Sequence, residues 1–94
     1  MGKLSTDEIT SELSKLPGWT FSNDKIEQEF SFDSYMDGIA FVNQIAVKAE
    51  EQNHHPDLEV GWCRVKVAFT SHDSGGVTER DIRMAHEVSR LSEG

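Results

Sequence analysis

The sequence predicts an α+β domain of order α-β-β-α-β-β-α, a four-stranded antiparallel sheet with three helices on one face. Three observations lead there. Segments 25–32 and 64–70 alternate apolar and polar residues with period two, so each strand has one wet face, as in antiparallel sheets covered on a single side. Three other segments carry apolar residues at helical spacing. Each of those begins at a residue that caps helices.

Helix one starts at Ser5, where Ser5 and Glu8 have the spacing of a capping box and Leu4 and Ile9 that of a hydrophobic staple. Ile9, Leu13 and Leu16 form its apolar stripe, and Pro17-Gly18 ends it. Trp19 and Phe21 then alternate with Thr20 and Ser22, and Ser22-Asn23-Asp24 is turn chemistry. The second strand puts Ile26, Gln28, Phe30 and Phe32 on one side. Asp33 or Ser34 caps a long second helix that runs to about Gln52. This helix has two apolar stripes. Tyr35, Ile39, Val42, Ala46 and Ala49 suffice to face a core, which leaves Phe41, Ile45 and the stem of Lys48 for a second copy of the chain. Leu58 to Trp62 reads as strand three, followed by a tight turn near Cys63. Val65, Val67 and Phe69 mark the inner side of strand four, and continued alternation puts His72 on the other side. Thr78 caps helix three, with Asp81 at the third position and Ile82, Ala85, Val88 and Leu91 facing inward.

The 94 residues read as one domain, 1–94. A net charge of −8 argues against direct contact with nucleic acid, whose affinity rests on Lys and Arg. No apolar run reaches membrane-spanning length, and the N-terminus has no signal-peptide core. Cys63 is the single cysteine, which excludes an internal disulfide and suits a cytoplasmic location.

Chemistry is concentrated in Glu50-Glu51-Gln52-Asn53-His54-His55-Pro56 and in Thr70-Ser71-His72-Asp73, which hold three of the four histidines. Imidazole has both protonation states within reach near neutrality and serves as acid or base. Glu50 and Glu51 lie four residues before His54 and His55, the spacing for carboxylate–imidazole pairing on a continuing helix. The plain alternatives are a polar helix terminus with His54 as a capping side chain, a loop position for His72 and a solvated one for His86. Adjacent histidines without HxH or HxxxH spacing do not make a zinc site, so no metal is expected. Gly75-Gly76 before a helix could cradle an anion or simply turn the chain. Trp19 and Trp62 could stack on a flat heterocycle or belong to the core. Asp81 could order a histidine, but its capping position accounts for it.

Taken together, Glu50, His54, His55, Pro56, Trp62, His72 and Asp81, at their spacings, resemble the signature of the pterin-4a-carbinolamine dehydratase family. The likeness extends to Leu16-Pro17-Gly18-Trp19, Phe30-Ser31-Phe32 and Thr78-Glu79-Arg80-Asp81, and so covers nearly the whole chain. Leu58-Glu59 departs from the more aromatic residues common after the proline. The resemblance implies the fold already inferred and a lyase that dehydrates 4a-hydroxytetrahydropterin to quinonoid dihydropterin in tetrahydropterin recycling, without a cofactor. It implies His54, His55, His72 and Glu50 as the catalytic set, with His55 and His72 as the proton-transfer pair and His54 binding the hydroxyl. It assigns substrate binding to Asn53, Pro56, Thr70, Ser71, Asp73 and Trp19. The partners it implies are a small-molecule pterin and further copies of the chain, as a dimer or tetramer through helix two. Some members of this family also act as protein-binding modules, among them a transcriptional coactivator, and a binding role is the alternative function.

Overall fold

Alternation builds the sheet. In a computed structural model that describes residues 2–93, β1 (Thr20–Ser22), β2 (Lys25–Ser31), β3 (Asp57–Val60) and β4 (Arg64–Phe69) pair antiparallel in the order β1-β2-β4-β3. Met1 and Gly94 lie outside the described residues. The register sets Ile26 opposite Phe69, Phe30 opposite Val65 and Leu58 opposite Val67, so the apolar residues share one side. On the other side Lys66 Nζ lies 3.0 Å from Glu27 Oε2 and 3.9 Å from Glu59 Oε2. Ser22 pairs directly with Lys25, and Asn23 and Asp24 both take left-handed backbone, φ 52° and 61°. That is the two-residue turn whose twist matches a hairpin, and Asn and Asp tolerate it.

Helix α1 (Thr6–Leu13) starts with the expected capping box. Ser5 Oγ accepts from Glu8 N at 3.1 Å, and Glu8 Oε1 accepts from Ser5 N at 2.8 Å. Its apolar stripe runs on to Leu16 but the helix does not. Bonds from Lys15 N to Glu12 O and from Leu16 N to Leu13 O tighten the chain into turns, because Pro17 disfavours helical backbone before it. Phe32 likewise falls just past β2, its N–H bonded to Cys63 O.

Helix α2 (Tyr35–Gln52) is capped by Ser34, whose hydroxyl accepts from Asp37 N at 3.1 Å. It packs mainly on the stripe expected to face a second copy, with Ala49 and part of Val42 from the stripe expected to face the core. Gly38, Phe41, Ile45 and Ala49 are buried, while Tyr35 is 48% exposed and Met36 and Val47 more so. The bulkier Phe41 and Ile45 bury more apolar surface than Ala46. The apolar residues left uncovered are Tyr35, Met36 and Val47, while Val42 packs at the edge of the core. Strand β3 also stops short of the expected Trp62. Gly61 N bonds Arg64 O at 2.9 Å, and the turn so formed leaves Trp62 81% exposed.

Helix α3 (Glu79–Glu93) closes the core with Ile82, Met84, Ala85 and Val88. Leu4 N bonds Val77 O at 2.8 Å and ties the first residues across the start of α3. The pairs Phe69–Trp19, Trp19–Phe30, Phe30–Phe41 and Phe41–Phe32 form a chain of ring contacts through the core at 4.9–6.2 Å. Among the described residues no helix is long and apolar enough to cross a membrane.

Candidate active site

The site is made by the way α2 ends. Asn53 takes left-handed backbone, φ 51° and ψ 43°, its N–H bonds Glu50 O, and His54 N–H reaches back to Ala49 O at 3.1 Å. This is a Schellman turn, and Asn fills it at smaller steric cost than most residues. The reversal drives two neighbouring side chains apart. His54 folds into the core, 9% exposed, and stacks on Phe69 with centroids 6.0 Å apart and planes at 17°. His55, kept extended by Pro56, stays in solvent.

Each ring meets a carboxylate. His55 Nε2 lies 2.5 Å from Glu50 Oε2. The left-handed residue shifts this pair from the expected spacing of four to five, and Glu51 pairs with Lys48 at 3.5 Å instead. His54 Nε2 lies 2.5 Å from Asp81 Oδ1, across 27 residues of chain. His54 thus caps the helix with its backbone, while its side chain serves a different partner. Asp81 does both things that the sequence offered for it, although capping alone accounted for the residue there. Its Oδ2 accepts from Thr78 N at 2.8 Å, which is the capping bond, and from Ser71 Oγ at 2.9 Å. Asp81 is fully buried, and as a carboxylate it only accepts, so Nε2 carries the proton that His54 presents to it. Its inclusion in the seven-position pattern was the one sequence signal for this role.

The second histidine segment is anchored to that same carboxylate. β4 ends at Phe69, Ser71 bridges to Gly76, and a 3-10 turn spans His72–Ser74, so strand alternation does not extend to His72. His72 is exposed. Arg80 donates to Asp73 Oδ1 at 2.7 Å. That bond holds the Asp73 carboxyl below the ordinary carboxylate value; the charge of Arg80 adds to it, while desolvation opposes.

Three expected contacts sit differently from their forecast, and Gly75-Gly76 makes the plain turn of its two readings. Ser71 is 2% exposed, its hydroxyl is committed to Asp81 and Thr78, and its N–H and carbonyl are bonded within the loop, so no group on it faces outward. Thr70 donates its hydroxyl to Asp24 O at 2.7 Å and pins the end of β4 to the β1–β2 turn. Trp19 is 5% exposed, gives its indole N–H to Ser89 Oγ at 2.8 Å, and offers no free face to a flat ring; it backs Phe69, on which His54 stacks. The N–H groups of Gly75 and Gly76 are spent on His72 O and Ser71 O, which removes the anion cradle. Asn53 and Asp73 are exposed and Pro56 half-buried at the rim. Among the described residues no group of three or more His, Cys, Asp or Glu is disposed to hold a metal ion.

A cleft of about 480 Å³ opens elsewhere, between α1 and α3, lined by Leu4, Glu8, Glu12, Ile82, Arg83 and His86 among others. His86 is half-buried there rather than solvated. Neither of the two imidazole–carboxylate pairs lines that cleft.

Comparison with known proteins identifies the family. The sequence model of the family described as pterin 4 alpha carbinolamine dehydratase matches residues 2–91. A protein of Aquifex aeolicus named "Putative pterin-4-alpha-carbinolamine dehydratase" is 49% identical over 89 residues, 95% of this chain and 90% of its own. A protein of Thermosynechococcus vestitus with the same name is 44% identical over 90 residues, 96% of this chain and 95% of its own. The crystal structure of a transcriptional coactivator/pterin dehydratase from Brucella melitensis superposes with a TM-score of 0.92 at 32% identity, covering 96% of this chain and 98% of that one. A pterin dehydratase-like RuBisCO assembly factor of the alpha-carboxysome, 24% identical with a TM-score of 0.65 over 79% of this chain and 86% of its own, shares the fold.

Proposed function

The chain belongs to the pterin 4 alpha carbinolamine dehydratase family, and from that membership we propose that it is a hydro-lyase converting 4a-hydroxytetrahydropterin into quinonoid dihydropterin and water. The observation that carries this reading is the pairing of two adjacent histidines with two separate carboxylates, His54 with Asp81 and His55 with Glu50. The reaction removes the N5 proton, and the electrons of that N–H bond form the N5=C4a double bond. The C4a–O electrons leave with the hydroxyl, which takes up a proton and departs as water. Neutral water does both transfers poorly, whereas a positioned acid or base contributes roughly 10²–10⁴-fold.

In this reading His55 and His72, both open to solvent, are the proton-transfer pair. His54, fixed by Asp81, binds the hydroxyl, and Glu50 orients His55 and balances its charge. Asn53, Pro56, Thr70 and Asp73 line the rim that holds the pterin, partly through backbone groups. The chemistry needs no cofactor, and tetrahydropterin recycling in the cytoplasm is its setting. A second copy of the chain covers the outer face of α2, where Tyr35, Met36 and Val47 are 48%, 68% and 58% exposed, in a dimer or tetramer. A sedimentation run with only monomer at micromolar concentration overturns that assembly.

Stopped-flow absorbance of freshly generated 4a-hydroxytetrahydropterin tests the activity, with wild type and with His72→Ala. Faster loss of the intermediate with wild type, largely abolished in the variant, is the expected result; a wild type without effect on any pterin defeats the reading. In that case the exposed face of α2 supports the second reading, a protein-binding module, as the Brucella relative's description as a coactivator suggests. Retention of a captured partner by a chain lacking all three site histidines then identifies that role.

A further inference from the structure

Two hydroxyls stand behind the buried histidine, and the reaction scheme above gives them nothing to do. Ser71 Oγ lies 2.9 Å from Asp81 Oδ2 and 2.9 Å from Thr78 Oγ1. Ser71 is 2% exposed, and Thr78 and Asp81 are fully buried, so water cannot substitute for either bond. Directions can be assigned. A carboxylate has no proton to give, so the Ser71 hydroxyl donates to Asp81. It then accepts from the Thr78 hydroxyl, whose oxygen in turn accepts from Arg80 N at 3.2 Å.

The consequence is geometric. A carboxylate on a short side chain can turn about its last bond, a broad, shallow torsion. Here Oδ2 is held on two sides, by Ser71 and by the backbone N–H of Thr78, which leaves Oδ1 aimed at His54. Ser71 also sits beside His72 in sequence and is tied by backbone bonds to Gly76. One residue therefore connects the loop carrying His72 with the carboxylate gripping His54.

We propose that Ser71 is a positioning residue for the dehydration reaction, its hydroxyl anchored by Thr78 and locking Asp81 in the orientation from which it fixes the ring and tautomer of His54. This deepens the dehydratase reading and rests on it for its kinetic half. The clamp holds Nε2–H on Asp81 and leaves His54 Nδ1 as the nitrogen that faces substrate. Among the described residues no partner to Nδ1 competes for it. Removing the hydroxyl frees the carboxylate to rotate and lets the ring lose its register, without taking away any group that touches substrate.

Two measurements decide the matter. The first is proton and nitrogen-15 NMR of the wild type, with the His54 ring proton assigned by its loss in His54→Ala. The expected spectrum has a downfield, slowly exchanging proton on Nε2, an unprotonated Nδ1 and a slowly exchanging Ser71 hydroxyl proton. A proton on Nδ1 in place of Nε2, or a Ser71 hydroxyl in free exchange with water, overturns the clamp with no variant needed. The second uses Ser71→Ala. Its His54 ring proton exchanges about tenfold faster, and kcat falls roughly tenfold with KM within about twofold, as when a group supporting a reacting residue is removed. Thr78→Ser keeps the anchoring hydroxyl and leaves both readouts within about twofold of wild type. A rise in KM alone makes Ser71 a substrate contact and defeats the proposal, as does a ring proton unmoved by Ser71→Ala. If the chain dehydrates no pterin while the ring proton behaves as expected, the dehydratase reading fails and the clamp stands.

Discussion

His54 and His55 are neighbours in sequence with the same chemistry, an imidazole 2.5 Å from a carboxylate, yet the two pairs differ in kind. The side chains of His54 and Asp81 are 10% and 0% exposed, those of His55 and Glu50 53% and 77%. Burial turns one contact into an obligation. Asp81 has given up its water, and its three donors, His54 Nε2, Ser71 Oγ and Thr78 N, replace it. Glu50 keeps its water and can let go of His55 at little expense. A short distance therefore says little about strength until the alternative partner, here solvent, is counted.

The largest break in this comparison comes from removing the acceptors. Asp81→Ala leaves three buried donors unpaired and lowers stability by about 3–5 kcal/mol, read by urea unfolding, whereas Glu50→Ala costs less than about 1 kcal/mol. Removing the rings sharpens the contrast. His54→Ala destabilises by about 2 kcal/mol, since it strips a donor from Asp81 and a stacked ring from Phe69. His55→Ala changes stability by less than about 0.5 kcal/mol yet lowers kcat about 10²-fold, which separates folding from chemistry at adjacent positions.

A smaller effect is expected at the turn that parts them. Asn53→Gly is within a few tenths of a kcal/mol of wild type, but Asn53→Ala costs about 1 kcal/mol at φ 51° and lowers activity, because the two rings no longer diverge cleanly. The smallest concerns the rim. Asp73 titrates below its ordinary value of 3.8 because of Arg80, so its contribution to stability is present above that value and lost as pH falls through the folded one. Arg80→Gln therefore lowers the melting temperature slightly at neutral pH. The gap from wild type closes in acid.

What could be read in advance follows from how far each interaction reaches. The capping boxes, the Asn23-Asp24 turn and the alternation of β2 and β4 are local, and residues within three or four positions of one another specify them. Two apolar stripes on α2 are not a local matter. Each satisfies helical periodicity, and only the bulk of Phe41 and Ile45 against the sheet selects the inward one. The bond between Asp81 and His54 spans 27 residues, so capping explained Asp81 fully until the chain was folded. Ser71 and Trp19 were taken for substrate contacts on their place in the family pattern. Both are buried and hydrogen-bonded within the fold, a placement set by packing that no short stretch of sequence encodes.

The two tryptophans give the molecule a built-in pair of optical gauges. Trp19, 5% exposed and surrounded by Phe30 and Phe69, emits from an apolar environment and shifts to the red only when the core opens. Trp62, 81% exposed at the tip of the β3–β4 turn, emits from water and is open to quenching by a dissolved ion such as iodide. The quenchable part of the fluorescence thus reports what covers that turn and the unquenchable part reports the integrity of the core, so docking at the surface and unfolding are read separately from one unlabelled sample.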